Sequence, residues 1–128
     1  MAKYLIDTTV LINHLRGKTA ALDFINKKEQ LKISCVSLAE LIQGARNKKE
    51  LEQIKKLVSL FAVDWGSARI NQKAVEILEK RYLKFGITYF DCLIAAAAME
   101  NNLELITDNL KHFRPIDGLT VRRPAELV

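Results

Sequence analysis

Four carboxylates stand at or just beyond the ends of short apolar runs in this chain. They are Asp7 after Tyr4-Leu5-Ile6, Glu40 after Ile33-Ser34-Cys35-Val36, Asp91 just ahead of Cys92 to Ala98, and Asp108 after Leu105-Ile106-Thr107. Taken singly, each is explained by helix capping. Ser37 and Glu40 have capping-box spacing, Thr88 and Asp91 form its aspartate variant, and Asp7 and Asp108 stand where N-caps stand. Negative charge at a helix N-terminus is favourable by about 0.3–1 kcal/mol in any case. Taken together, they point to a site. If helices follow successive parallel strands, their N-termini share one edge of the sheet, and the carboxylates at those junctions gather in one crevice. Gathered like charges drive at least one acid to take up a proton unless a cation offsets them. Hard divalent ions such as Mg²⁺ or Mn²⁺ prefer such oxygen donors. An ion held there acidifies water and steadies phosphate oxygens, which is the chemistry of phosphodiester hydrolysis. Asp91 carries the most weight, because it interrupts an apolar stretch in which an unpaired carboxylate is costly. Thr9 and Thr107 add hydroxyls that either orient a carboxylate or water, or cap a helix.

The elements needed to position these groups can be read from periodicity. Lys3 to Ile6, Leu31 to Cys35, Phe61 to Val63, Leu103 to Ile106 and Leu119 to Val121 are short β-prone runs. Helical spacing covers Thr8 to Leu15, Thr19 to Lys28, the Leu38-Leu41-Ile42-Ala45 face, and Leu51 to Leu60. The longest amphipathic helix runs from Ile70 to Phe85 and stops at Gly86, and Thr88 to Met99 is so apolar that it must be buried. Asp108 to Gly118 reads as irregular. Strands alternating with helices predict a three-layer α/β fold with a central parallel sheet, because parallel strands need long crossovers.

The chain has 128 residues, one domain's worth, enough to bury a core without disulfides or structural metal. Its two cysteines, Cys35 and Cys92, sit in apolar stretches and read as reduced thiols of an intracellular, cytoplasmic protein. Neither has a nearby histidine partner in sequence, which argues against a nucleophilic thiol. No signal peptide, membrane span, internal repeat or glycine-rich phosphate loop is present in the sequence. Twenty Lys and Arg against fifteen Asp and Glu give a net charge of +5, which leans toward an anionic partner. Basic clusters fall at Lys27-Lys28, Arg46 to Lys49, Lys55-Lys56, Lys80-Arg81 and Arg122-Arg123. They are either solvated helix faces or, where they flank the crevice, holders of a nucleic-acid backbone. His14 and His112 lack metal-ligand spacing and read as structural or surface residues. Leu22, Phe24, Ile25 and the Leu51–Leu60 apolar positions fit a partner surface or the core equally.

Four segments carry a family resemblance: Leu5-Ile6-Asp7-Thr8-Thr9-Val10-Leu11-Ile12, Ser34 to Gly44, Phe90 to Ala97, and Leu105-Ile106-Thr107-Asp108-Asn109-Leu110-Lys111-His112-Phe113. In this order they resemble the motifs of PIN domains, and most of all those of VapC toxins. The resemblance implies a Mg²⁺- or Mn²⁺-dependent endoribonuclease, a small VapB-like antitoxin partner and a homodimer. It places Asp7, Glu40 and Asp91 on the family's first three acidic positions. Asp7 and Asp91 would hold the main metal, with Glu40 completing the set directly or through water. The fourth position falls on Asn109, with Asp108 next door, and Thr9 stands where the family often has Asn or Ser. Cleavage by water would leave a 5′-phosphate and a 3′-hydroxyl. Two alternatives remain open at this point. A haloacid-dehalogenase-like phosphatase also starts with an Asp after strand one, but wants a second Asp where this chain has Thr9. A non-catalytic PIN domain binding RNA or protein would accommodate Asn109.

Overall fold

A computed structural model describes residues 2–127 of the chain. Strands β1 (Tyr4–Ile6), β2 (Leu31–Ser34), β3 (Ala62–Asp64), β4 (Glu104–Ile106) and β5 (Val121–Arg122) form one sheet in the order β3-β2-β1-β4-β5. Every pairing is parallel. Seven helices connect and cover them: α1 (Thr8–Leu15), α2 (Thr19–Lys27), α3 (Cys35–Gly44), α4 (Lys48–Val58), α5 (Ala68–Phe85), α6 (Tyr89–Glu100) and α7 (Leu110–Phe113). A 3₁₀ turn, Pro124–Leu127, follows β5.

Strand alternation sorts the core into two faces. Leu5 and Leu105, opposite one another in the β1–β4 ladder, join a cluster with Ile70, Ala74 and Ile77 of α5 and the buried Ile94 to Ala98 run of α6. The next pair, Ile6 and Ile106, joins Val10, Phe24, Leu41, Ile54 and Leu57 on the other face. The expected three layers are present. Phe24, Ile25, Ile54 and Leu57 are core, so the apolar positions of α2 and α4 that fitted a partner surface equally well are mostly spent on packing.

The chain runs outward from β1 through β2 to β3, then returns across β1 to β4. The order therefore reverses between β1 and β4, where parallel α/β sheets open a crevice at their carboxyl ends. Asp7 follows β1 and Thr107 follows β4. The Asp7 N–H donates to the Ile106 carbonyl at 2.8 Å, locking the two strand ends side by side.

Boundaries differ from the periodicity reading in three places. α3 starts at Cys35, one turn earlier than its apolar face suggests, because Ser34 accepts the Val36 N–H at 3.1 Å. Ser37 and Glu40 thus lie inside the helix, and the capping-box explanation of Glu40 fails. β5 lies at Val121–Arg122, since the Leu105 and Thr107 N–H groups donate to the Thr120 and Arg122 carbonyls at 2.9 and 3.0 Å. An edge strand is held by such bonds and needs no apolar alternation. The segment read as irregular contains α7, which is anchored by buried Leu110 and Phe113.

Capping is independently visible at α5, where Ser67 accepts the Ile70 N–H at 3.1 Å. Ser67→Ala is expected to cost about 1 kcal/mol, lowering the melting temperature by a few degrees without changing activity. Calorimetry beside an activity assay reads both.

Candidate active site

Asp7 is buried at the end of β1, and its position comes from the sheet: Leu5 and Ile6 face opposite cores, and the chain then turns into α1. Asp7 occupies the N-cap position of α1, but its side chain makes no cap bond. Its Oδ2 instead accepts the Thr107 hydroxyl at 2.7 Å and the Thr9 hydroxyl at 2.8 Å. Burial pushes this carboxyl above its ordinary pKa, the two hydroxyls pull it back, and the charge of Asp91 pushes it up again. Capping does not account for it.

Glu40 projects from the second turn of α3 and accepts the Thr8 hydroxyl at 2.7 Å. Its pKa is raised by burial first, opposed by Thr8, and raised further by the charges of Asp91 and Asp7. Asp91 comes from the first turn of α6, where Thr88 caps its N–H at 3.2 Å and donates a hydroxyl to its Oδ2 at 3.0 Å. Thr88 thus caps α6, the first half of the box expected there, while the Asp91 carboxylate takes the Thr88 hydroxyl and also faces the site. Three acids from segments far apart in sequence lie within electrostatic reach of one another.

The fourth corner is arranged differently. Asp108 and Asn109 are both exposed between β4 and α7, and neither side chain caps α7. Asp108 Oδ2 accepts from Asn13 Nδ2 of α1 at 2.6 Å. The backbone N–H groups of Asp108 and Asn109 reach the hydroxyls of Thr9 and Thr107, at 3.2 and 2.9 Å. Thr9 and Thr107 therefore bridge Asp7 to the β4–α7 turn.

Sequence reasoning passed over three contributors. Asn13 holds Asp108 from the position just after the first motif, a role visible only once α1 and β4 are adjacent. Thr8 holds Glu40 although it reads as a helix-start residue. His112, read as structural, places Nε2 2.7 Å from Asp91 Oδ2, at ion-pair distance but off the line of a hydrogen bond, while its ring also packs edge-on against Phe113. The spacing from Thr107 to His112 in the last motif was the available signal. Both cysteines are free. Burial, helped by Asp91, pushes the Cys92 thiol up to about 11, so it holds its proton and packs as a small apolar group.

A groove of about 530 Å³ opens beside Glu40, lined by apolar Ile12, Leu15, Leu41 and Ile54 and by Arg16 and Arg46. Arg46 is paired with Glu50 at 2.8 Å.

Residues 4–119 match the PIN domain family. The chain belongs to the PIN domain family. Among its relatives, Ribonuclease VapC10 of Mycobacterium tuberculosis is 40% identical over 120 residues, covering 90% of this chain and 89% of that protein. Ribonuclease VapC19 of the same organism is 37% identical over 117 residues, covering 85% and 90%. In three dimensions this PIN domain resembles a chain of a toxin–antitoxin complex from Klebsiella pneumoniae, with TM-score 0.81, 28% identity and 95% and 98% coverage. A chain of DNA-bound VapBC from Salmonella typhimurium superposes with TM-score 0.86 at 23% identity, covering 97% and 99%, and shows the shared fold.

Whether this PIN domain suits a divalent cation can be tested on its donors. Among the described residues, no three His, Cys, Asp or Glu side chains already stand as one ligand cluster. The donor chemistry fits nonetheless. Asp7, Glu40 and Asp91 offer only carboxylate oxygens, a hydroxyl steadies each of the three, and repulsion between them is among the causes that raise Asp7 and Glu40. Such a donor set suits a hard dication.

Thr107→Val tests this wiring. Removing the buried donor raises Asp7 further, so the acidic limb of the pH–activity profile should move to higher pH, with activity near pH 7 falling by about tenfold. An unshifted limb would show that Thr107 does not hold Asp7 in its working state.

Proposed function

We propose that this PIN domain is a VapC-type toxin endoribonuclease, active as a single cytoplasmic domain with Mg²⁺ or Mn²⁺ and neutralised by a small VapB-like antitoxin. The observation that carries the chemistry is that Asp7, Glu40 and Asp91, from three separate segments, lie near enough for the charge of Asp91 to act on both Asp7 and Glu40, which supports one crevice at the β1–β4 switch point. The names of the relatives support ribonuclease activity, and the toxin–antitoxin complexes among the structural neighbours support the antitoxin. Among the described residues no helix is long and apolar enough to cross a membrane.

In this reading Asp7 and Asp91 hold the cation, and Glu40 completes the set directly or through water. When bound, the cation would supply charge against the phosphodiester oxygens and acidify water. The protein's own groups do the positioning. Thr9 and Thr107 fix the Asp7 oxygen and favour its ionised form against the burial that opposes it. Thr8 keeps Glu40 turned inward, and Thr88 with His112 orients Asp91. Asp108, held by Asn13, or Asn109 would complete the mouth toward the attacking water. Thr9, occupied by Asp7 and the Asp108 N–H, stands where a haloacid-dehalogenase phosphatase needs its acid/base, and nothing in the site replaces it. The test is incubation of purified protein with RNA, with Mg²⁺, with Mn²⁺ or with EDTA. Fragments bearing 5′-phosphate ends that form only with metal are expected; equal cutting in EDTA would overturn the metal assignment, and intact RNA under all conditions would overturn the nuclease.

A further inference from the structure

α5 and α6 form an antiparallel hairpin whose tip delivers Asp91, and that tip is unusual for its surface. Tyr82, Phe85, Tyr89 and Phe90 are between 37% and 58% exposed within nine residues, although aromatic rings of this size normally turn into a core. The core of the hairpin is already filled by Ile77, Ile87, Cys92 and Ile94, so these rings have no interior place to go. Lys84 lies among them and Lys80 just ahead of Tyr82, and Lys84 Nζ lies 5.4 Å from the Phe85 ring centre. No carboxylate falls between Lys80 and Phe90; Asp91 itself is the next one. The neighbouring cation, Arg81, is taken up by Asp117.

Exposed rings with lysines beside them form the pattern on which unpaired nucleic-acid bases stack, while the cations track the phosphates. A positive, ring-bearing strip is also what an acidic crevice needs beside it, since the acids alone would repel the strand they are to cut. We infer that the α5–α6 tip is a stacking subsite for single-stranded RNA, in which Phe90 and Tyr89 receive the bases flanking the cleaved bond and Tyr82, Phe85, Lys80 and Lys84 extend the track. The inference rests on the ribonuclease reading and names where its substrate lies. Leu83, the most exposed apolar side chain on the same tip, has no π-face and takes no part.

The test uses the intact protein in EDTA and a fluorescein-labelled short oligouridylate, with affinity read by anisotropy and mass by sedimentation. Phe90→Ala and Tyr89→Ala are each expected to weaken binding about tenfold at unchanged mass. Lys84→Ala should lower the slope of affinity against salt, and Leu83→Ala should leave affinity as it was. With metal present, the aromatic variants should raise KM more than they lower kcat. Aromatic variants that bind as tightly as the parent would overturn the subsite. So would a drop in mass that accompanies lost affinity, or a Leu83→Ala effect as large as that of Phe90→Ala; both would mark the tip as a protein interface, with a second copy as its occupant. These results leave the nuclease standing if the parent still cuts RNA, whereas a parent that neither binds nor cuts RNA removes both.

Discussion

Asp7→Asn is expected to lower RNA cleavage by at least about a thousandfold while raising the melting temperature of the metal-free protein by a few degrees. The two effects have one cause. Asp7 is the most enclosed of the three acids, and its burial opposes the charged form. Asparagine keeps an oxygen for the Thr9 and Thr107 hydroxyls but removes the negative charge, relieving the repulsion with Asp91 and Glu40. The folded state gains by that relief, and the site loses the charge that would hold a cation. Asp91→Asn should show a comparable loss of activity with a smaller gain in stability, because its side chain is partly exposed and already faces His112. Cleavage assays beside calorimetry on both variants decide the matter. A cap would behave in the opposite way, with stability falling and activity persisting.

The second large effect is cation-linked stability. Asp7 and Glu40 both carry raised pKa values in the folded state, so the native protein binds protons that the unfolded chain has already released. Their contribution favours folding at low pH and is lost as pH rises from about 4 through the raised values. Without divalent metal, these two groups should therefore make the protein less stable toward neutrality. In the proposed reading, Mg²⁺ or Mn²⁺ would bind the ionised forms and reverse the trend. At a hundredfold excess over the dissociation constant the gain is about 2.7 kcal/mol, or on the order of 10 °C for a chain of this size. The gain should grow with pH across the same window and disappear in Asp7→Asn. A melting temperature indifferent to metal at every pH would leave the three acids as a structural cluster, as the non-catalytic alternative requires.

Much of this was legible in the sequence because it is local. The turn from Ile6 through Asp7 into α1 follows from a β-prone run meeting helical spacing, and all five strands were found within two residues of their places. The parallel sheet followed from alternation, since each crossover is long enough to hold a helix. Asp7, Glu40 and Asp91 stood out as acids at apolar junctions, and the last motif drew attention to the Thr107–His112 stretch. Helix ends were less legible where one hydroxyl decided them. Ser34, not Ser37, starts α3, and a single bond to the Val36 N–H moves Glu40 from the first turn to the second.

Spacing along the chain specified which residues would form strands and helices and which carboxylates they would carry, because backbone hydrogen bonding and apolar periodicity act over a few residues. Which side chains meet was settled only by the strand order β3-β2-β1-β4-β5, which lays β4 against β1 across about a hundred residues of chain and so brings Thr107 to Asp7 and Asn13 to Asp108. The same packing turns His112 toward Asp91 and leaves the rings of the α5–α6 tip outside a filled core. Contacts of that kind depend on which faces the sheet can cover, a property of the whole packed molecule that no local pattern contains.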